Sequence, residues 1–159
     1  MEILLDGSWR FIAFPKKVGE QQGVYDPYYS TKGWLDAFVP GNVYSHLVNT
    51  GLIPNKPDSD SNDESLSWIT DREWWYRTDF LLPVGFPRQN TTLIFQHLSS
   101  EVIIWLNGER IYRTTEAFSP IQIDVGTLIN EGPNTLAVCF TSLSPQSGIL
   151  SSVKIISRT

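Results

Sequence analysis

Cysteine is the first thing this sequence lacks. Its single copy, Cys139, excludes an intrachain disulfide and a zinc–thiolate cluster. It sits in Leu136-Ala137-Val138-Cys139-Phe140 and reads as a small buried hydrophobe. Histidine is also scarce. A metal centre needs more ligands than His46 and His97 supply, so no metal and no cofactor is expected, and His46 reads as a surface or half-buried residue. Basic runs are missing: the net charge is −5 and the longest cationic run is Lys16-Lys17. That excludes nucleic acid, which needs clustered Lys and Arg against its phosphates. No apolar run approaches the ~20 residues of a membrane span, and no membrane partner is expected. Met1 leads directly into Leu5-Asp6-Gly7-Ser8-Trp9 without a secretory signal, which makes a cytoplasmic location the expectation. Finally, there is no Gly-x-Ser-x-Gly elbow, no phosphate-cradling Gly-rich loop, and no carboxylate pair set among apolar residues.

Aromatic residues are what the chain has. They make up 13% of its 159 residues, a share that favours an all-β or sugar-handling protein over a helical one. The length suits one domain that buries enough surface to fold without staples. Three of the six tryptophans fall in Trp68–Pro83. Here Trp74, Tyr76, Thr78, Phe80 and Leu82 alternate with Trp75, Arg77, Asp79 and Leu81, the period of a half-buried strand. The second face sets an indole beside a guanidinium and a carboxylate.

Further strands are expected at Trp9–Phe14, Leu35–Val39, Leu93–Leu98, Val102–Leu106, Ile121–Val125, Thr135–Thr141 and Val153–Ser157. Residues 16–33 lack periodicity and read as loop. One short helix is expected after Asn42, a suitable N-cap, with Val43, Leu47 and Val48 as its apolar stripe and Gly51 as its stop. About eight or nine short strands with one helix fit an all-β, antiparallel β-sandwich. Asn107-Gly108 is a two-residue hairpin turn. It sets Leu106 against Glu109, Trp105 against Arg110, Ile104 against Ile111 and Ile103 against Tyr112. One face is then ordinary core, while Ile103, Trp105, Arg110 and Tyr112 form another that also needs cover. That cover is either a loop of the chain itself or another domain.

The acidic run Asp58–Glu64 lacks the Gly and Glu positions of an EF-hand loop and reads as a solvated loop. Asn90-Thr91-Thr92 is a glycosylation sequon, meaningful only in a secreted eukaryotic protein. Trp68, Trp75 and Trp105 with Arg77, Asn62 and Asp63 would suit a sugar, indole faces stacking on C–H faces and polar groups bonding hydroxyls. Core packing is the competing role for each tryptophan.

Several pieces, in order, resemble the N-terminal domain of family 2 glycoside hydrolases, in their β-mannosidase and exo-β-glucosaminidase branch. They are Leu5-Asp6-Gly7-Ser8-Trp9; Trp34–Val43 leading to Leu47 and Gly51-Leu52-Ile53; Asn62-Asp63 ahead of Trp68; Trp75-Tyr76-Arg77 with Phe80 and Pro83; Leu106-Asn107-Gly108-Glu109; Phe118; Asp124-Val125 with Leu128; Gly132-Pro133-Asn134 with Leu136-Ala137-Val138; and Gly148-Ile149. The resemblance implies one jelly-roll sandwich of the galactose-binding type over residues 1–159. It also implies an immunoglobulin-like domain and a (β/α)₈ barrel outside this sequence. That barrel carries the two glutamates of a retaining reaction, roughly 5 Å apart, so no catalytic residue is expected here. By the same resemblance the partners are a β-glycoside carbohydrate and that catalytic domain. Asn62, Asp63 and Trp68 then match a loop that reaches the substrate pocket, while Trp75, Arg77, Trp105 and Arg110 are interdomain or sugar-facing candidates. One departure stands out: Ser142–Ser147 replace the Trp-Asp-Trp-Gly-Pro segment of mannosidase relatives, whose Asp meets the sugar. Two other functions suit the same residues: a free-standing lectin-like module, and a non-sugar interaction domain on the same scaffold.

Overall fold

A computed structural model describes residues 1–54, 67–99, 101–115, 120–142, 144 and 146–157. In chain order it contains β1 (Glu2–Leu4), β2 (Gly7–Pro15), α1 (Val18–Gln22), β3 (Leu35–Val39), β4 (Gly41–Asn42), α2 (Val43–Asn49), α3 (Ser67–Thr70), β5 (Arg72–Leu82), β6 (Thr91–Phe95), β7 (Glu101–Leu106), β8 (Glu109–Thr114), β9 (Ile121–Asp124), β10 (Gly132–Ser142), β11 (Gly148–Ile149) and β12 (Val153–Ser157). A six-stranded sheet, β3-β2-β5-β10-β7-β8, faces a four-stranded one, β1-β12-β6-β9, and β4 pairs with β11. The pairings are antiparallel. The fold is therefore the expected all-β sandwich. There are more strands than expected because β1, β4 and β11 are only two or three residues long, below the length at which alternation can be read.

Alternation decides which side chains enter the sandwich. Trp74, Tyr76 and Leu82 of β5, Ile104 and Leu106 of β7, Leu136, Val138 and Phe140 of β10 and Phe95 of β6 share one buried cluster. Phe11 of β2 stacks on Tyr76, with centroids 5.2 Å apart. Central strand β10 is buried on both faces, because the outer face of the large sheet has a second, smaller cluster of its own.

α2 forms where it was predicted. The Asn42 side chain accepts from the Ser45 N–H at 2.7 Å, satisfying one of the free N–H groups of the first turn. Asn107 and Gly108 take φ of 53° and 88°, as a type I′ turn requires. Asn107 is also tied down by its side chain. Its Nδ2 donates to Leu128 O and to Asn134 Oδ1, and its Oδ1 accepts from Thr135 N. Buried Asn134 completes its own hydrogen bonding with Asn130 and Gly132. Two of the family-like motifs are thus one polar clasp joining the β7–β8 turn to the start of β10.

Three sequence expectations are corrected. The hairpin register holds for Leu106–Glu109 and Trp105–Arg110, then shifts: Ile104 faces Tyr112 and Ile103 faces Arg113. A β-bulge inserts one residue, so Ile111 and Tyr112 both pack toward the main core. Residues 16–33 are not plain loop; they contain α1 and lie over the outer face. His46 is neither at the surface nor half-buried but fully buried.

The His46 ring lies between Tyr76 and Phe38. Its Nε2 donates to the Phe38 carbonyl at 2.7 Å, which can only accept, and its Nδ1 then accepts from the Tyr76 hydroxyl at 2.8 Å. Burial lowers the His46 pKa below the usual 6.5, partly opposed by the Phe38 carbonyl. The unfolded chain therefore binds a proton that the folded chain resists. This contribution to stability is complete above about pH 6.5 and declines as pH falls below it. Between about pH 7.5 and 5.5, the urea midpoint is expected to fall more steeply for wild type than for His46→Gln. Parallel profiles would remove His46 from the pH dependence.

Candidate functional site

One end of the six-stranded sheet collects the long connections. Pro15 leaves β2 opposite Arg72, where β5 begins. Ser142 leaves β10 opposite Glu101, where β7 begins. Thr114 leaves β8 opposite Val102, and Leu35 opens β3 opposite Phe11. A sandwich end with several converging loops is where such scaffolds place recognition groups.

Trp68 stands at this end. It is half-buried on α3, its ring 5.7 Å from Trp74, whose Nε1 donates to Ile69 O at 2.9 Å. α3 is thereby pinned to the start of β5, and Trp68 stays half-buried against the core. Asn62 and Asp63 lie outside the described residues.

The other four candidates sit on the outer face, and there the chain supplies its own cover. Trp75 is 0% exposed, Arg77 3% and Trp105 3%. Small residues on β10 make this arrangement possible: Ala137 lies beside Trp105 and Cys139 beside Trp75. With little side chain between them, the two indoles meet across β10 at 4.8 Å, and Tyr25 stacks on Trp105 at 5.1 Å and 5°. Val24 and Trp34 complete the cluster. Arg77 reaches up rather than out. Its Nη1 donates to Tyr29 O at 2.7 Å and Val24 O at 3.1 Å, fastening residues 24–29 to the sheet. Its pKa is lowered by burial, a cost partly offset by Asp79 and Asp26. Trp75, Arg77 and Trp105 therefore offer no free surface to a sugar or to another domain; only Arg110 is exposed. The physical reason is the aromatic content of residues 24–34, which need burial as much as the face they cover.

Sequence reading missed Glu73. It is 3% exposed, and its carboxylate accepts from Trp75 Nε1 at 2.6 Å and from Lys17 N at 2.5 Å. These bonds hold Lys17 at φ 70°, the entrance to α1. Gly19 follows, and a Cβ there would stand 2.2 Å from Trp75 Nε1, so only glycine lets α1 approach so closely. A carboxylate immediately before a double tryptophan was the one available signal. Beyond Glu73 opens a cleft of about 600 Å³, floored by Ile103, Trp105 and Cys139. Burial pushes the Cys139 thiol pKa well up, with Glu73 and Glu20 adding to the shift, which suits a structural residue rather than a nucleophile.

Residues 15–149 match the family described as glycosyl hydrolase 2 galactose-binding domain-like. The chain belongs to this family. The Mus musculus β-mannosidase is 32% identical over 139 residues, covering 87% of this chain and 14% of that enzyme. An exo-β-D-glucosaminidase of Streptomyces avermitilis is 28% identical over 130 residues, 79% of this chain and 14% of that enzyme. Among solved structures, the β-D-mannosidase of Dictyoglomus thermophilum superposes with a TM-score of 0.79 at 25% identity, over 99% of this chain and 22% of that one. The chain thus spans about a seventh of the length of these two curated relatives, 14% of each. The matched stretch includes the Asn42 cap, the Trp75-Tyr76-Arg77 strand and the Asn107–Asn134 clasp.

Proposed function

We propose that this chain is the non-catalytic, pocket-shaping N-terminal domain of a retaining β-glycoside hydrolase of the β-mannosidase-like branch. The catalytic domain would be part of the same polypeptide, and the carbohydrate would be a β-glycoside. The observation that carries this reading is the 32% identity to mouse β-mannosidase across 87% of this chain, a stretch that is only 14% of that enzyme. The geometry supports it: the long connections converge at one end of the large sheet, where half-buried Trp68 stands. On this reading Asn62 and Asp63, just upstream, bond substrate hydroxyls from the pocket wall.

Steady-state kinetics of the full-length protein on aryl β-mannoside and β-glucosaminide test the proposal. Asp63→Ala is expected to raise KM about tenfold, the scale of one lost charge-assisted hydrogen bond, and Asn62→Ala several-fold, the scale of a neutral one, with the unfolding midpoint unchanged. Unaltered KM and kcat in both variants would remove these residues from the pocket. Millimolar sugar binding by the chain expressed alone would favour the lectin-like reading.

A further inference from the structure

The geometry points to a second ligand site, a small-molecule cleft on the outer face of the large sheet that takes a carboxylate-bearing sugar. We infer it from how the bulge in β8 disposes charge. In a regular strand Arg110 and Tyr112 would share a face. With the extra residue, Arg110 stands opposite Trp105 and Arg113 opposite Ile103, so two guanidinium groups line the same cleft. Bulges commonly re-aim a side chain in this way.

Both arginines are exposed, and neither has an ion-pair partner among the described residues. Lys16 and Lys17 stand on the facing wall, so four of the chain's twelve Lys and Arg line one cleft of a protein with net charge −5. Glu73, at its base, is already committed to Lys17 N and Trp75 Nε1. Glu20 and Glu101, also lining the cleft, offer acceptors for hydroxyl groups. Ile103 and Trp105, both buried, close the base of the cleft with apolar side chains. The volume, about 600 Å³, lies within the ~300–1,000 Å³ of small-molecule sites. Paired guanidinium groups for a carboxylate and acceptors for hydroxyls together describe a sugar acid. A neutral sugar would leave both arginines unanswered.

This site does not depend on the proposed pocket role, because it uses none of Asn62, Asp63 or Trp68. Titration calorimetry of the full-length protein with sodium glucuronate, and with mannose as the neutral control, tests it. Glucuronate is expected to bind and mannose not to compete. Arg110→Gln/Arg113→Gln should weaken glucuronate binding at least tenfold, roughly one charge-assisted bond. Glycosidase activity and unfolding midpoint should be unchanged in that variant, since both side chains are exposed. Arg113→Lys, which keeps the charge, should retain part of the affinity. Equal binding of mannose and glucuronate, glucuronate affinity indifferent to the double substitution, or no binding at about 20 mM would each overturn the assignment.

Discussion

Trp75→Ala is expected to destabilise the protein by about 3–5 kcal/mol, the range for emptying a buried tryptophan site. Two effects combine. The indole is fully buried between Trp105 and Tyr25, and its removal leaves a void that three-ring packing cannot close. Glu73 also loses the N–H that bonds its Oε2, leaving a buried carboxylate short of a donor, which adds roughly 1–3 kcal/mol if water does not enter. Trp75→Phe separates the two: it keeps most of the packing and loses only the donor, so it should cost less than half as much. Guanidinium unfolding of the three proteins measures both terms. A loss below about 1 kcal/mol for the alanine variant would mean that the indole does not hold the cover in place.

That expectation inverts how the residue reads in sequence. The alternation from Trp74 to Leu82 correctly separates the two faces of β5, because strand period depends only on local geometry. The same pattern cannot tell what lies over a face. Trp75 and Arg77 look like ligand groups until residues 24–29 are seen above them, fastened by hydrogen bonds that span about fifty residues of sequence. No local rule predicts such a cover. Its only trace is composition: Val24, Tyr25, Tyr29 and Trp34 are too apolar for a solvated loop.

The two turns show the same division. α2 is legible because Asn42 and Ser45 cap it within three residues. The β7–β8 turn is legible from Asn107-Gly108. The bulge that follows is not, since Ile111 and Tyr112 are both apolar and either register buries one of them. That single shift moves Arg113 onto the outer face, and with it the charge of the cleft. Of the pocket candidates, Trp68 lies on α3 at the end where the long connections converge, while Asn62 and Asp63 fall outside the described residues.

Arg77→Met should cost about 2–4 kcal/mol and expose the cover to protease. Methionine keeps the buried stem, so packing loss is small and the change isolates the guanidinium. That group makes two charge-assisted bonds to the carbonyls of Val24 and Tyr29, each worth roughly 1.5–3 kcal/mol. Against them stands the cost of burying the charge, visible in its lowered pKa, which brings the net below the sum. The ion pair with Asp79 is a minor contributor: the separation is 3.7 Å and the Asp79 side chain is 70% exposed, a setting in which such pairs contribute about 0–1 kcal/mol. Asp79→Asn should therefore leave stability within about 0.5 kcal/mol of wild type. Trypsin distinguishes anchoring from simple charge pairing. With the tether gone, cleavage at Lys16, Lys17 and Lys32 should accelerate in Arg77→Met under native conditions, while Asp79→Asn digests like wild type. If both variants digest equally faster than wild type, the ion pair rather than the carbonyl tether holds residues 24–29 against the sheet; if both digest like wild type, neither does.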